Sequence, residues 1–306
     1  MPNPFFSVIT VTYNSSQFVR DAIESVLAST FTDFELIIGD DCSTDNTWEI
    51  INEYKDPRIV KYRNETNLRE YPNRNKALGM ARGEWVIFID GDDVIFEHGL
   101  LVFSEYICSH PDVSMVIQKN YFNNVIWPIK VSPKQFLINE FFGNPRLSCS
   151  SFASNVFRRD SILTLGGLSG DFTTGDEDFR LRMGSRFKTL FIAGWLTWPR
   201  ETPGQASKSI KPSTMIIERD KQINHILNNV EGDQELDKIK ISCSLSFQIL
   251  IRRTLMNLLK KANFKEARVV VKYFGYRILF SRPEMTFFYV DELTSKTPSS
   301  PIKWKK

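Results

Sequence analysis

Glu84-Trp85-Val86-Ile87-Phe88-Ile89-Asp90-Gly91-Asp92-Asp93 joins an apolar, β-branched and aromatic run to three carboxylates within four positions. A run of this kind that stops at Asp-Gly is a strand delivering its C-terminal end to a turn. In an open α/β sheet that end is where ligands bind. Three acids so close together repel one another unless a cation or hydrogen-bond donors compensate them, so a divalent metal site is expected here.

Working outward, the chain has 306 residues, enough for a domain of roughly 200 residues with an appendage. Its 42% hydrophobic and 25% charged content is that of an ordinary globular protein. No run approaches the ~18 apolar residues of a membrane span, and no charged-then-apolar leader is present, so the expected location is the cytoplasm. Cys42, Cys108, Cys149 and Cys243 are far apart and read as buried thiols rather than a zinc site or a disulfide framework. None of His98, His110 and His225 has a metal-ligand spacing, so any metal is bound by oxygen, which favours Mn²⁺ or Mg²⁺. The net charge is only +3, yet residues 236–282 hold eleven Lys and Arg against Asp237 and Glu266, which leaves the rest of the chain acidic.

Upstream, Phe6 to Thr12 reads as a strand and Tyr13-Asn14-Ser15-Ser16 as a turn and helix start. A helix with Phe18, Val19, Ala22, Ile23, Val26 and Leu27 on one face follows, then a short strand Phe34 to Gly39 ending at Asp40-Asp41. Asp45 can cap a short helix, Ile59 to Tyr62 is a third strand, and a polar loop from Asn64 to Tyr71 precedes a helix around Asn73 to Arg82. Alternating strands and helices predict a mostly parallel sheet with right-handed crossovers. Downstream, residues 97–108 read as a helix and Val113 to Gln118 as a strand, with long connections expected from Asn120 to Ser150. A strand over Ser151 to Phe157, a helix over Arg159 to Leu165, an acidic turn and helix over 171–187 and a strand over Leu190 to Ala193 complete the domain. The expected division is a catalytic domain over 1–210, split at 118/119 into a nucleotide half and an acceptor half. A mainly helical basic extension over 211–290 and a disordered tail over 291–306 follow.

The ends of the first, second and fourth strands share one edge, gathering Thr12-Tyr13-Asn14, Asp40-Asp41 and Asp90 to Asp93. Tyr13 can offer a face to a base and Asp41 can accept the imino proton of a pyrimidine, although Asp40-Asp41 also suits an Asx-turn or helix cap. No Gly-x-Gly-x-x-Gly and no Gly-x-x-x-x-Gly-Lys occurs, so no glycine-rich loop cradles phosphates. A diphosphate bound here would be neutralised by a metal held on the Asp90 to Asp93 turn.

Ser7-Val8-Ile9-Thr10-Val11-Thr12-Tyr13-Asn14, Asp40-Asp41-Cys42-Ser43-Thr44-Asp45, Arg74-Asn75, Ala81-Arg82-Gly83-Glu84 and Asp90-Gly91-Asp92-Asp93 together resemble the inverting, metal-dependent glycosyltransferases of family 2, over roughly residues 5–205. The resemblance implies the GT-A nucleotide-diphospho-sugar transferase fold. It implies that Thr10, Tyr13 and Asp41 hold the uracil of a UDP-sugar and that Arg74 and Asn75 flank the nucleotide. It further implies that Asp92 and Asp93 contact ribose and metal; Asp90, in the same acidic turn, is a further candidate ligand. Leu68-Arg69-Glu70-Tyr71-Pro72-Asn73 stands where the family has a small, glycine-containing segment.

Thr174-Gly175-Asp176-Glu177-Asp178-Phe179-Arg180-Leu181-Arg182-Met183 resembles the family's acidic motif, with Asp176 as the base and Asp178 as the alternative in a shifted match. An acceptor hydroxyl must lose its proton as it attacks the anomeric carbon from the face opposite UDP, which requires a carboxylate across the sugar from the metal. The competing reading is structural, since acids favour a first helical turn and Asp176 with Arg180 and Asp178 with Arg182 are i,i+4 pairs. Glu177, Trp195, Trp198 and Arg200 are candidates for the acceptor side or the closing loop. The tryptophans suit either a sugar ring or the core. Arg200 to Ser207 resembles the family's loop that closes on the diphosphate, with Thr202 where a histidine is common.

In the basic segment Leu245, Ile249, Leu250, Leu255, Leu258 and Leu259 lie among Arg252, Arg253, Lys260 and Lys261. That pattern fits either a helix on anionic lipid at the inner face of the plasma membrane or a helix packed on protein. Nucleic acid is not expected as a partner, for want of a recognition motif. The expectation is thus a transferase moving a sugar from a UDP-sugar to a glycan or lipid-linked acceptor in surface polysaccharide synthesis. The alternative is a non-catalytic nucleotide-sugar-binding or membrane-docking subunit of a polysaccharide assembly.

Overall fold

The computed structural model describes residues 3–119, 126–142, 150–202, 210–229, 247 and 250–275. The chain divides into two compact units, one of Met1–Phe136 with Leu147–Ser209 and one of Leu137–Arg146 with Ile210–Lys306. Leu137–Arg146, expected within the catalytic stretch, thus groups with the C-terminal residues.

The first unit opens with β1 (Phe6–Thr12), α1 (Val19–Leu27), β2 (Phe34–Asp40), α2 (Thr47–Glu53), β3 (Ile59–Arg63), α3 (Glu70–Met80) and β4 (Trp85–Phe88). It continues with β5 (Val94–Ile95), α4 (Gly99–Ser109), β6 (Met115–Lys119), β7 (Ile129–Val131) and a helix, α5 (Pro133–Phe142), that runs on into the second unit's residues. A 3₁₀ turn (Phe152–Ser154), β8 (Asn155–Arg158), α6 (Arg159–Thr164), α7 (Gly175–Gly184), β9 (Thr189–Ala193) and β10 (Thr197–Trp198) complete it.

Eight strands form one sheet in the order β3-β2-β1-β4-β8-β6-β9-β7. The first four are mutually parallel, β8 runs antiparallel to both of its neighbours, and β7 is antiparallel to β9. Residues of β1, β2 and β4 are buried on both faces, as the unbroken apolar reading of a covered parallel sheet requires. Val19, Ile23 and Val26 of α1 pack with Phe6, Val8, Leu36, Trp85 and Phe103 in one hydrophobic core. Full burial of each such side chain stabilises the fold by roughly 1.5–3 kcal/mol.

Three differences from the sequence reading have physical causes. α3 begins at Glu70, so Pro72 falls in its first turn, where a missing N–H costs nothing. Residues 126–142, expected as connections, contain β7 and α5, because edge pairing and tertiary packing outweigh weak local periodicity. The short β5 and β10 pair with each other, Trp198 opposite Val94, and set the segment after residue 197 beside the acidic turn.

In the second unit a helix over Pro212–Asn229 and one over Phe264–Phe274 are joined by Ser213 Oγ donating to Glu266, and Arg219 pairs with buried Glu140. Ile251, Leu258, Val270 and Phe274 are buried, while Leu250, Met256, Leu259 and Phe264 are exposed. Leu245 and Ile249 of the expected amphipathic stripe, and residues 291–306, lie outside the described residues. Among the described residues no helix is long and apolar enough to cross a membrane.

Candidate active site

Backbone register brings the strand ends together. Asp41 N donates to Thr12 O at 2.8 Å, Ile89 N to Ile9 O at 2.9 Å and Gly91 N to Val11 O at 3.2 Å. Tyr13, Asp41 and the Asp90 to Asp93 turn therefore emerge side by side. Gly91 is obligatory in this approach, since a Cβ there would lie 2.7 Å from Thr12 Cγ2.

The four residues of that turn carry different loads. Arg74 Nη2 donates to Asp90 Oδ1 at 2.7 Å and to Oδ2 at 2.6 Å, which commits this carboxylate to an ion pair. Arg74 is itself buried, with its guanidinium 4.9 Å from the Phe152 ring centroid. Asp92 Oδ2 accepts from Thr202 Oγ1 at 2.9 Å, and Asp93 Oδ1 accepts from Arg200 N at 3.1 Å. Burial raises the proton affinity of Asp92. Burial, and then the charges of Asp90 and Asp92, push Asp93 up to about 8.

Crowding of this kind fits a divalent cation, which would restore both groups to their charged forms. Among the described residues no three His, Cys, Asp or Glu side chains form a complete metal cage. Mn²⁺ or Mg²⁺ is in general held by one or two carboxylates, with substrate phosphates and waters supplying the remaining oxygens. Asp90 is paired with Arg74, and Asp92 and Asp93 are the candidates to hold such an ion.

On the base side, Tyr13 is half exposed just beyond β1. Thr10 is fully buried inside the strand with Oγ1 unpaired, so it offers no surface to a nucleotide in this structure. Asp41 is buried and accepts from Asn64 Nδ2 (2.8 Å), Leu68 N (2.9 Å) and Arg69 N (2.8 Å), keeping part of its acceptor capacity. Asp40 is structural: Ser43 N (3.1 Å) and Arg63 Nε (3.2 Å) both reach Oδ2. The segment that departs from the family pattern holds Arg69 at φ 69°, ψ 172°, a conformation that is essentially glycine's.

On the acceptor side, Asp176 and Asp178 separate. Asp178 is 1% exposed and its Oδ2 accepts from Arg182 Nε (2.8 Å) and Ser169 Oγ (3.2 Å). Asp176 is 34% exposed, with Arg180 Nη1 3.3 Å from Oδ2. Asp176 is thus the more accessible of the two carboxylates. Glu177 lies partly buried in the same first turn. Tyr71 of α3 anchors this turn, its hydroxyl donating to Thr173 O (3.2 Å) and accepting from Gly175 N (2.8 Å).

Asn75, expected beside the nucleotide, has its side-chain amide taken up by backbone. Its Nδ2 donates to Leu168 O at 2.7 Å and its Oδ1 accepts from Leu168 N at 3.0 Å, a clamp between α3 and the turn after α6. Trp195 and Trp198 are 55% and 50% exposed, so neither is a core residue, and the Arg200 guanidinium lies 5.4 Å from the Trp198 centroid. Arg200 is drawn toward α1, where Nη2 reaches Asp21 Oδ2 at 2.8 Å and the guanidinium lies 5.0 Å from the Phe18 centroid. The rest of the expected closing loop, 203–207, lies outside the described residues.

Sequence reasoning passed over Asn64 and Tyr71 as site residues and marked Thr202 only as standing where a histidine is common. The signal for Tyr71 was its presence in the segment departing from the family pattern; Asn64 acts through contacts that no local spacing announces.

The model of the family described as Glycosyl transferase family 2 matches residues 7–166. UDP-Glc:alpha-D-GlcNAc-diphosphoundecaprenol beta-1,3-glucosyltransferase WfaP of Escherichia coli is 41% identical over 87 residues, 28% of this chain and 35% of that protein. Putative teichuronic acid biosynthesis glycosyltransferase TuaG of Bacillus subtilis (strain 168) is 44% identical over 92 residues, 29% of this chain and 36% of that protein. These alignments span about a third of the relatives' own lengths. The crystal structure of S. aureus TarS 1–349 in complex with UDP-GlcNAc superposes with a TM-score of 0.71 at 19% identity, covering 96% of this chain and 84% of that one. Mannosyltransferase PcManGT from Pyrobaculum calidifontis, in complex with GDP-Man and Mn²⁺, gives 0.58 at 14% identity, covering 96% and 88%. At such identities the superpositions show a shared GT-A fold.

Proposed function

Because the chain belongs to glycosyl transferase family 2, we propose that it transfers a sugar from a UDP-sugar to a hydroxyl of a glycan or lipid-linked acceptor, by single displacement with inversion. The observation that carries this reading is the arrangement around α3. Through Arg74 that helix holds the metal-type turn, and through Tyr71 it holds the turn bearing exposed Asp176. Asp92 and Asp93 would hold Mn²⁺ or Mg²⁺, which when bound supplies the positive charge that stabilises the departing diphosphate. Tyr13 and Asp41 orient the base, and Asp176 takes the proton of the attacking hydroxyl. Thr202 and the backbone of Arg200 hold the two metal-binding carboxylates in place.

The names of relatives agree in kind: WfaP acts with UDP-Glc on a diphosphoundecaprenol-linked sugar, and TarS was captured with UDP-GlcNAc. A lipid-linked acceptor also gives the basic C-terminal helices a role at the cytoplasmic face of the membrane, where exposed Leu250, Met256 and Leu259 accompany Arg253, Lys260 and Lys261. Release of UDP or GDP across a panel of UDP-sugars and GDP-mannose, with and without Mn²⁺, tests the reading. Metal-dependent release from a UDP-sugar is the expected result. Tight UDP binding with no turnover of any donor would instead make the chain a non-catalytic nucleotide-sugar-binding subunit.

A further inference from the structure

Glu70 occupies a position that none of the roles above uses. As the first residue of α3 it pairs with Arg74, the guanidinium that holds Asp90. Its chain neighbour Tyr71 bonds the backbone of Gly175, beside Asp176. Glu70 is thereby fixed between the turn assigned to the diphosphate and the carboxylate assigned to the acceptor. Burial raises its proton affinity against the opposing charge of Arg74, and the charges of Asp90 and Asp176 add to the rise. Inversion requires the transferred sugar to lie between those same two places.

The side chain is 44% exposed, only Oε1 is taken by Arg74, and Oε2 is left to accept. Arg74 supplies a single positive charge to Glu70 and Asp90 together, so the surface is rich in acceptors. A sugar, with its ring of hydroxyl donors, complements such a surface. We propose that Glu70 is a specificity-determining residue that accepts hydrogen bonds from hydroxyls of the transferred sugar, an assignment that rests on the donor reading above. A site built to bond a hydroxyl discriminates strongly against a donor that lacks or inverts it, because its acceptor is then left unpaired.

The test compares wild type with Glu70→Gln and Glu70→Ala by calorimetry with UDP and with each UDP-sugar in Mn²⁺, alongside donor turnover and a thermal melt. The expected result is UDP affinity within about twofold of wild type and affinity for the preferred UDP-sugar weakened about tenfold or more. The ranking of donors should change while the pH profile of kcat does not. Equal weakening of UDP and every UDP-sugar, or no weakening at all, would overturn the assignment. Absence of turnover in wild type would instead overturn the transferase reading, because the UDP-sugar against UDP comparison still reports on Glu70.

Discussion

At the scale of single residues, two aspartates two positions apart in α7 have opposite environments. Asp178 is sealed against Arg182 and Ser169, whereas Asp176 keeps a third of its side-chain surface. Asp176→Asn is expected to lower turnover by about 10²–10⁴-fold with UDP affinity unchanged, as read from single-turnover rates and calorimetry. Asp178→Asn should act on folding, because it weakens a buried charge-assisted bond, and lose about 1.5–3 kcal/mol in urea titration. If Asp178→Asn folded like wild type and abolished turnover, the assignment of the base would reverse. In the acidic turn, Asp92→Ala and Asp93→Ala should each remove the Mn²⁺-dependent part of UDP binding. Calorimetry with and without Mn²⁺ checks this, and retained metal dependence in both variants would contradict it.

At the scale of elements, α3 is the part on which the site is assembled. Its Tyr71, Arg74 and Asn75 reach three different places: the start of α7, the acidic turn and the turn after α6. Its start is strained, with Arg69 at positive φ so that its N–H can reach Asp41. That conformation costs a non-glycine residue about 1–3 kcal/mol, and glycine's greater freedom in the unfolded chain costs about 0.5–1 kcal/mol in return. Arg69→Gly is therefore expected to raise stability by about 1 kcal/mol, seen as a higher urea midpoint. A fall in the midpoint would show that the arginine side chain contributes more than its backbone loses.

At the scale of the whole molecule, carboxylates pull stability in opposite directions with pH. Burial pushes Glu35 upward, but bonds from Ser7 Oγ (2.7 Å), Arg82 N (2.6 Å) and the Arg82 guanidinium more than offset this and hold it below its ordinary 4.5. Its contribution is present above that value and is lost as pH falls through the depressed one. Asp93 is raised instead, so the stability owed to its neutral form is full near its ordinary 3.8 and is lost as pH climbs toward about 8. The metal-free protein should thus melt at lower temperature as pH rises from about 5 to about 8, and Mn²⁺ should reduce that loss by stabilising the charged carboxylate. Melting curves across this range settle it: a pH slope indifferent to Mn²⁺ would remove the cation from Asp93.

Alternation of strand and helix over the first 90 residues, the placing of Tyr13, Asp41 and Asp90 just beyond strand ends, and the acidic opening of α7 were all legible in the amino-acid sequence. Each rests on local physics: hydrophobic period, turn chemistry and helix capping act between residues close in the chain. Tertiary structure alone decided what those groups do. It buried Thr10, gave Asp90 to Arg74, turned Asn75 into a clamp on Leu168 and laid Thr202 on Asp92. It also separated Asp176 from Asp178 by exposure. These outcomes depend on which distant side chains become neighbours and how far each is withdrawn from water, and no spacing along the chain encodes either quantity.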